Sequence, residues 1–210
     1  MPVRILIADD HALVREGLKM ILVSMSDMDV VGEAGDGREV LEKAEALKPD
    51  VILMDISMPE LNGIEATRII CERLPSVRVI ILSMHHTIEH VFRATQAGAQ
   101  AYLLKESAGL DVVKAVREVM RGRQYFGEGV EPPTKTCVSP KSPIDSLSPR
   151  ELEVIQLVVE GKTSAEIAET LSLSPKSIET YRSRLMLKLG VNNIPSLVKF
   201  AVLHDITPPE

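Results

Sequence analysis

Five short, unbroken apolar runs in the first 125 residues leave few folds open. They are Val3–Ala8, Val30–Ala34, Val51–Met54, Val77–Ser83 and Ala101–Leu104, rich in Ile, Val and Leu. They lack the alternation of a strand with one wet face, so they read as strands buried on both sides, as in a parallel sheet. Between them, near 12–24, 37–48, 62–73, 87–97 and 109–121, lie amphipathic stretches. In the last of these Leu110, Val113, Val116 and Met120 recur at helical spacing. Strand and helix in regular alternation predict an α/β doubly wound, five-stranded parallel sheet over residues 1–125.

The pattern then breaks. Residues 126–145 include four prolines and show no apolar period, which predicts a linker that is stiff where proline recurs. From 146 to 210 the apolar spacing is helical throughout, with helices expected over 149–160, 163–171, 175–189 and 194–204. Ser148 before Pro149 and Ser174 before Pro175 are N-cap and first-turn signals, and Gly161 and Gly190 sit where helices should stop. Val154, Leu157, Val158, Ile167, Ala168, Leu171, Ile178, Leu185 and Leu189 would form the core of this all-α, four-helix domain.

Composition removes several function classes. No apolar run approaches the roughly 18–20 residues of a membrane span. The N-terminal apolar stretch is too short for a signal peptide and runs straight into carboxylates. A cytoplasmic protein with no membrane partner is expected. Cys71 and Cys137 lack metal or redox spacing and read as ordinary thiols of a reducing compartment. His86 and His90 stand at the zinc-compatible i, i+4 spacing beside His85, but no second ligand pair accompanies them, so they read as surface residues. A net charge of −6 excludes a chain that coats nucleic acid with its whole surface, but not one with a local basic face.

The chemistry of the first domain lies at its strand ends. Asp9 and Asp10 follow the first strand and Asp55 the third. In a parallel sheet these ends converge on one crevice, where ligands bind. Three carboxylates brought together repel unless a cation neutralises them, and oxygen-only ligands favour a hard ion such as Mg²⁺. Asp55 could then act as a nucleophile toward a phosphoryl group. Ser83, ending the fourth strand, offers a hydroxyl, and Lys105, after the fifth, an ammonium. Metal, hydroxyl and ammonium around one phosphoryl group is the electrostatic logic of phosphoryl transfer. His11, after the acidic pair, reads as a helix-start residue.

The stretches ILIADDHALVREGL, PDVILMDISMPELNGIEA, VIILSMHH and GAQAYLLKE resemble the receiver domain of the NarL/FixJ family of two-component response regulators. The resemblance implies that Asp55 takes a phosphoryl group from a sensor histidine kinase. It also implies Mg²⁺ bound by Asp10, Asp55 and the backbone carbonyl of Ser57, with Asp9 in the outer shell. It further implies a switch in which Ser83 is drawn toward the phosphoryl group and Tyr102 changes rotamer. Pro59 and Gly63 shape the loop after Asp55, Pro by fixing φ and Gly by admitting left-handed geometry.

The second domain carries another function. LSPRELEVIQLVVEGKTSAEIAETLSLSPKSIETYRSRLMLKLGV resembles the LuxR-type helix-turn-helix domain, with Ser172–Ser174 as the turn. Residues 145–210 hold seven Lys/Arg against nine Asp/Glu, yet 176–188 hold four Lys/Arg and one Glu. A basic stripe on one helix is the footprint of phosphate contact on double-stranded DNA, with N-terminal residues reaching base edges. Lys176, Thr180 and Arg184 are candidates for base or groove contact, and Lys162, Arg182 and Lys188 for phosphates. Four features stand out against the family pattern: Ser164 for a common asparagine, Tyr181 for a frequent histidine, Pro195 opening the last helix, and Glu179 as an acid in an otherwise basic motif, though acids there are known in the family. In the family the last helix dimerises on DNA, which here points to Leu197, Val198 and Ala201 and to a homodimer on two promoter half-sites. RNA polymerase is a further candidate partner.

Together these features describe a transcription regulator and not an enzyme. A small Mg²⁺-dependent phosphatase built on Asp55 would need a substrate pocket for which the chain has no room. A degenerate receiver would not retain Asp9, Asp10, Asp55, Ser83 and Lys105. Two couplings fit the sequence: a receiver that covers the recognition helix until phosphorylated, or tethered domains whose receivers dimerise on phosphorylation.

Overall fold

The apolar runs pair side by side into one parallel sheet. The computed structural model describes residues 1–85, 87–133, 143–204 and 206, and the chain divides into two units. The first contains strands β1 (Val3–Ala8), β2 (Met28–Ala34), β3 (Val51–Asp55), β4 (Arg78–Ser83), β5 (Ala101–Leu104) and β6 (Tyr125–Phe126). Its helices are α1 (Ala12–Val23), α2 (Gly37–Leu47), α3 (Gly63–Arg73), α4 (Ile88–Gln96) and α5 (Ala108–Met120). The strand order is β2-β1-β3-β4-β5-β6, with every pair parallel. The order reverses between β1 and β3, and that reversal opens the crevice at their C-terminal ends.

Both faces of the sheet are covered, which is why the strands show no polar alternation. Ile5, Ile7, Leu53, Leu82 and Leu103 share a cluster with Leu22 of α1 and Val112, Val116 and Val119 of α5. Their chain neighbours Leu6, Ile52, Met54 and Ile81 point to the opposite face and are also fully buried.

Three expectations need correction. The sheet has six strands, not five: Tyr125 and Phe126, split between the expected sheet domain and the expected linker, pair with Ala101 and Tyr102. A two-residue strand has no period to detect. It is held by its neighbours, with the Tyr125 hydroxyl donating to Asp111 Oδ1 on α5 at 2.8 Å. The linker is also shorter at both ends. Gly127 N–H donates to the Tyr102 carbonyl and Val130 is buried, while a 3₁₀ turn at Pro143–Ser146 puts Ile144 into the second core. Residues 134–142, with Cys137, lie outside the described residues, as does His86. In α5 Val112, Ala115, Val116 and Val119 are buried and Val113 packs against the same cluster, but Met120 is exposed; the stripe read from spacing holds at Val113 and Val116 and fails at Met120.

The second unit contains α6 (Pro149–Val159), α7 (Ser164–Leu171), α8 (Pro175–Leu189) and α9 (Ile194–Leu203). The starts follow from local chemistry. Ser148 and Glu151 form a reciprocal capping box at α6, and Thr163 and Glu166 form another at α7. The Ser174 side chain accepts from Ser177 N–H at α8. Gly190 ends α8 in the left-handed conformation, φ 65°. All nine expected core residues join one cluster, Leu189 at its margin. Among the described residues no helix is long and apolar enough to cross a membrane.

The expected dimer contact is overturned in part. Leu197 and Ala201 are both 0% exposed, in the core of their own domain. Positions four apart share one helix face, and here that face packs inward. Val198 is half-buried, and the outward apolar residues of α9 are Val202 and Leu203.

Candidate functional sites

The strand ends bring together the acidic residues that the sequence singles out. Asp9 and Asp55 are buried, at 0% and 2% exposure, and Asp10 lies partly open beside them. One oxygen of each, together with a ring nitrogen of His11, lies within 4.8 Å of the others. The Lys105 ammonium reaches across from the end of β5, 2.8 Å from both Asp9 Oδ2 and Asp55 Oδ2. It comes close because Lys105 N–H donates to the Ser83 carbonyl at 2.8 Å, extending the β4–β5 pairing past the strand.

One ammonium cannot balance three carboxylates. Asp9 Oδ2 and Asp55 Oδ2 share the single Lys105 ammonium, and Asp10 Oδ1 faces the His11 ring. Burial, and after it the Asp9 charge, push the Asp55 carboxyl up to about 7 against the pull of Lys105. Burial also works against the Lys105 ammonium, but Asp55 and Asp9 outweigh it and hold its pKa above the ordinary lysine value. Clustered carboxylate oxygens whose negative charge exceeds that of the one ammonium form a donor set suited to a hard divalent cation.

The other expected groups stand around this cluster. Ser57 N–H reaches Asp55 Oδ1 at 3.3 Å, so the loop folds back beside the carboxylate. Ser83 is buried at the end of β4, and its Oγ accepts from His85 N–H at 3.0 Å. Tyr102 is buried, with its hydroxyl donating to the His85 carbonyl at 2.6 Å. Gly63 is needed for a different reason than the one expected. Its φ is not positive, but a Cβ there would lie 1.8 Å from the Asp55 carbonyl oxygen. His11 is the N-cap residue of α1, as expected. Its Nδ1 lies 2.6 Å from Asp10 Oδ1, a contact that spacing alone does not reveal.

In the second unit α8 exposes Lys176, Thr180 and Arg184 along one face. Arg182 and Lys188 are committed within the domain. Arg182 Nη1 donates to Ser164 Oγ at 3.0 Å. Lys188 Nζ donates to the Ser146 carbonyl at 2.9 Å and to buried Glu151 Oε2 at 2.6 Å, tying the end of α8 to the start of α6. Lys162 lies in the turn between α6 and α7, its N–H donating to the Leu157 carbonyl at 3.1 Å.

A reversing parallel sheet with an acidic crevice, joined to a helix-turn-helix, defines a receiver coupled to a DNA-binding domain. Residues 5–117 match the response regulator receiver domain, and residues 145–201 match the LuxR family of bacterial regulatory proteins. The transcriptional regulatory protein MctR of Rhizobium johnstonii is 38% identical over 97% of this chain and 95% of its own. The Salmonella typhimurium RcsB response regulator superposes with a TM-score of 0.67 at 28% identity, over 99% of both chains. A structure described as two RcsB dimers bound to two parallel DNAs matches with a TM-score of 0.59 at 28% identity, over 99% of this chain and 100% of that one. The chain therefore belongs to the response regulators that carry a LuxR-type DNA-binding domain. It is a transcription-factor response regulator of two-component signalling and not an enzyme.

Proposed function

We propose that Asp55 is the phosphoacceptor and that its phosphorylation controls promoter binding by α8. The observation that carries this is the pair of 2.8 Å contacts from Lys105 to Asp9 and Asp55, in a cluster where three carboxylates meet one ammonium. An Asp55 carboxylate oxygen attacks the phosphorus of a phosphohistidine on the sensor kinase. The new P–O bond forms as the P–N bond breaks, and the departing imidazole takes up a proton. Asp10, Asp55 and the Ser57 carbonyl would hold Mg²⁺, with Asp9 in the outer shell. Bound Mg²⁺ supplies the positive charge that lets carboxylates and phosphoryl oxygens share the crevice. Lys105 supplies one more cation, and Ser83 a hydroxyl for a phosphoryl oxygen. Moving Ser83 toward that oxygen would disturb the His85 segment, which is held by both Ser83 and Tyr102, and so gives the switch a physical route.

On the DNA side, Lys176, Thr180 and Arg184 reach the groove and Lys162 serves a phosphate. As with the DNA-bound RcsB dimers, the protein acts as a homodimer, using the outward face of α9 with Val198, Val202 and Leu203. The kinase, the promoter and RNA polymerase are all met in the cytoplasm. Radiolabelled acetyl phosphate with Mg²⁺ tests the first half. The wild type takes up label and Asp55→Asn takes up none above background; equal labelling of Asp55→Asn would refute the assignment.

A further inference from the structure

The outward face of α8 consists of Lys176, Glu179, Thr180, Ser183, Arg184 and Leu187, all exposed and spaced as one helical stripe. Glu179 is anomalous there, because a bare carboxylate among cations would be repelled by phosphates. It is held from behind. Ser164 Oγ donates to Glu179 Oε1. Arg182 Nη1 lies 3.4 Å from the same oxygen while donating to Ser164 Oγ. Arg182 is only 27% exposed and Glu179 60%, so the cation sits behind the acid rather than in front of it. Ser164 is the first residue of α7. The network therefore crosses between helices, fixes the Glu179 rotamer and offsets its charge. It uses Oε1, which leaves Oε2 to accept a bond from outside.

A carboxylate can only accept. In the major groove guanine and thymine offer acceptors, and adenine N6–H sits beside the N7 acceptor. Cytosine N4–H is a donor with no acceptor beside it on its own base. We propose that Glu179 is a specificity-determining residue that reads a cytosine N4 amino group, and that Arg182, with Ser164, is its positioning residue rather than a phosphate contact. The proposal rests on α8 being the recognition helix.

The test is selection from randomised DNA duplexes by the full-length phosphorylated protein, followed by binding measurements across salt concentrations. The wild type enriches a motif with a fixed C·G pair at one position. Glu179→Ala retains the rest of the motif but loses a cytosine preference of about tenfold or more at that position. Glu179→Gln moves the preference there toward adenine. Arg182→Ala copies Glu179→Ala without changing the salt slope, and the double variant loses no more than either single one. An unchanged motif in both Glu179 variants overturns the proposal. So does an Arg182→Ala protein that keeps the cytosine preference while its salt slope flattens by about 0.9, the mark of a lost phosphate contact. A folded wild type that enriches no motif overturns the DNA-binding reading and this one with it, and is distinguished by the wild-type arm alone.

Discussion

The two functional regions use their polar residues in opposite ways. The receiver gathers Asp9, Asp55, Ser83 and Lys105 from the ends of four strands, and the first three are buried at 2% exposure or less. The helix-turn-helix domain lays Lys176, Thr180 and Arg184 along one exposed helix. In the first region each charge acts at low dielectric on the others, so a change in any one alters them all. In the second, water and salt separate the groups, and each contributes nearly on its own.

The largest expected effect tests the buried side. Gly63→Ala drives a Cβ to 1.8 Å from the Asp55 carbonyl oxygen, a backbone atom that cannot swing aside. It should cost about 3 kcal/mol or more in urea unfolding of the receiver and slow Asp55 labelling. Gly161→Ala in the second domain meets nothing within 4 Å and is resisted only by φ +81°, so it should cost about 1–2 kcal/mol. Equal costs would break the contrast. Next, Lys176→Ala or Arg184→Ala should weaken DNA binding by about 1–3 kcal/mol and leave acetyl phosphate labelling at the wild-type rate. Altered labelling would show that the exposed site does not act independently.

The smallest effect concerns Lys188, which crosses the division as a surface cation on a buried acid. Burial pushes the Glu151 carboxyl up, but Lys188 and Ser148 outweigh it and hold its pKa below the ordinary value. A depressed carboxylate stabilises the fold above its unfolded pKa of about 4.3, and that stability disappears as pH falls through the lower folded value. Lys188→Ala should therefore cost about 1 kcal/mol at pH 7, discounted for its exposure. The cost should shrink below about pH 4, as followed by thermal melts across pH. It should leave the salt slope of DNA binding intact.

Most elements were legible because their signals are local. Buried strands announce themselves as apolar runs, and Ser148–Pro149 and Ser174–Pro175 announce helix starts through their own side chains. The acidic residues were legible for the same reason, since parallel pairing must bring Asp9, Asp10 and Asp55 to one rim. The misses were all matters of partner. Leu197 and Ala201 were chosen on apolarity, which marks a buried face but not what buries it. The sequence also does not reveal the hydroxyl and carboxylate that Arg182 and Lys188 meet within their own domain. Phe126 joined a sheet through neighbours far from it in sequence.

The sequence by itself determined the longer strands and helices and which chemical groups stand at the rim. Periodicity, capping and strand-end position are properties of a few consecutive residues. Only the tertiary structure decided that Lys105 lies 2.8 Å from two carboxylates, that Gly63 must lack a side chain, and that Ser164, Glu179 and Arg182 meet. Those depend on ångström-scale distances between residues brought close by packing, and no local pattern encodes them.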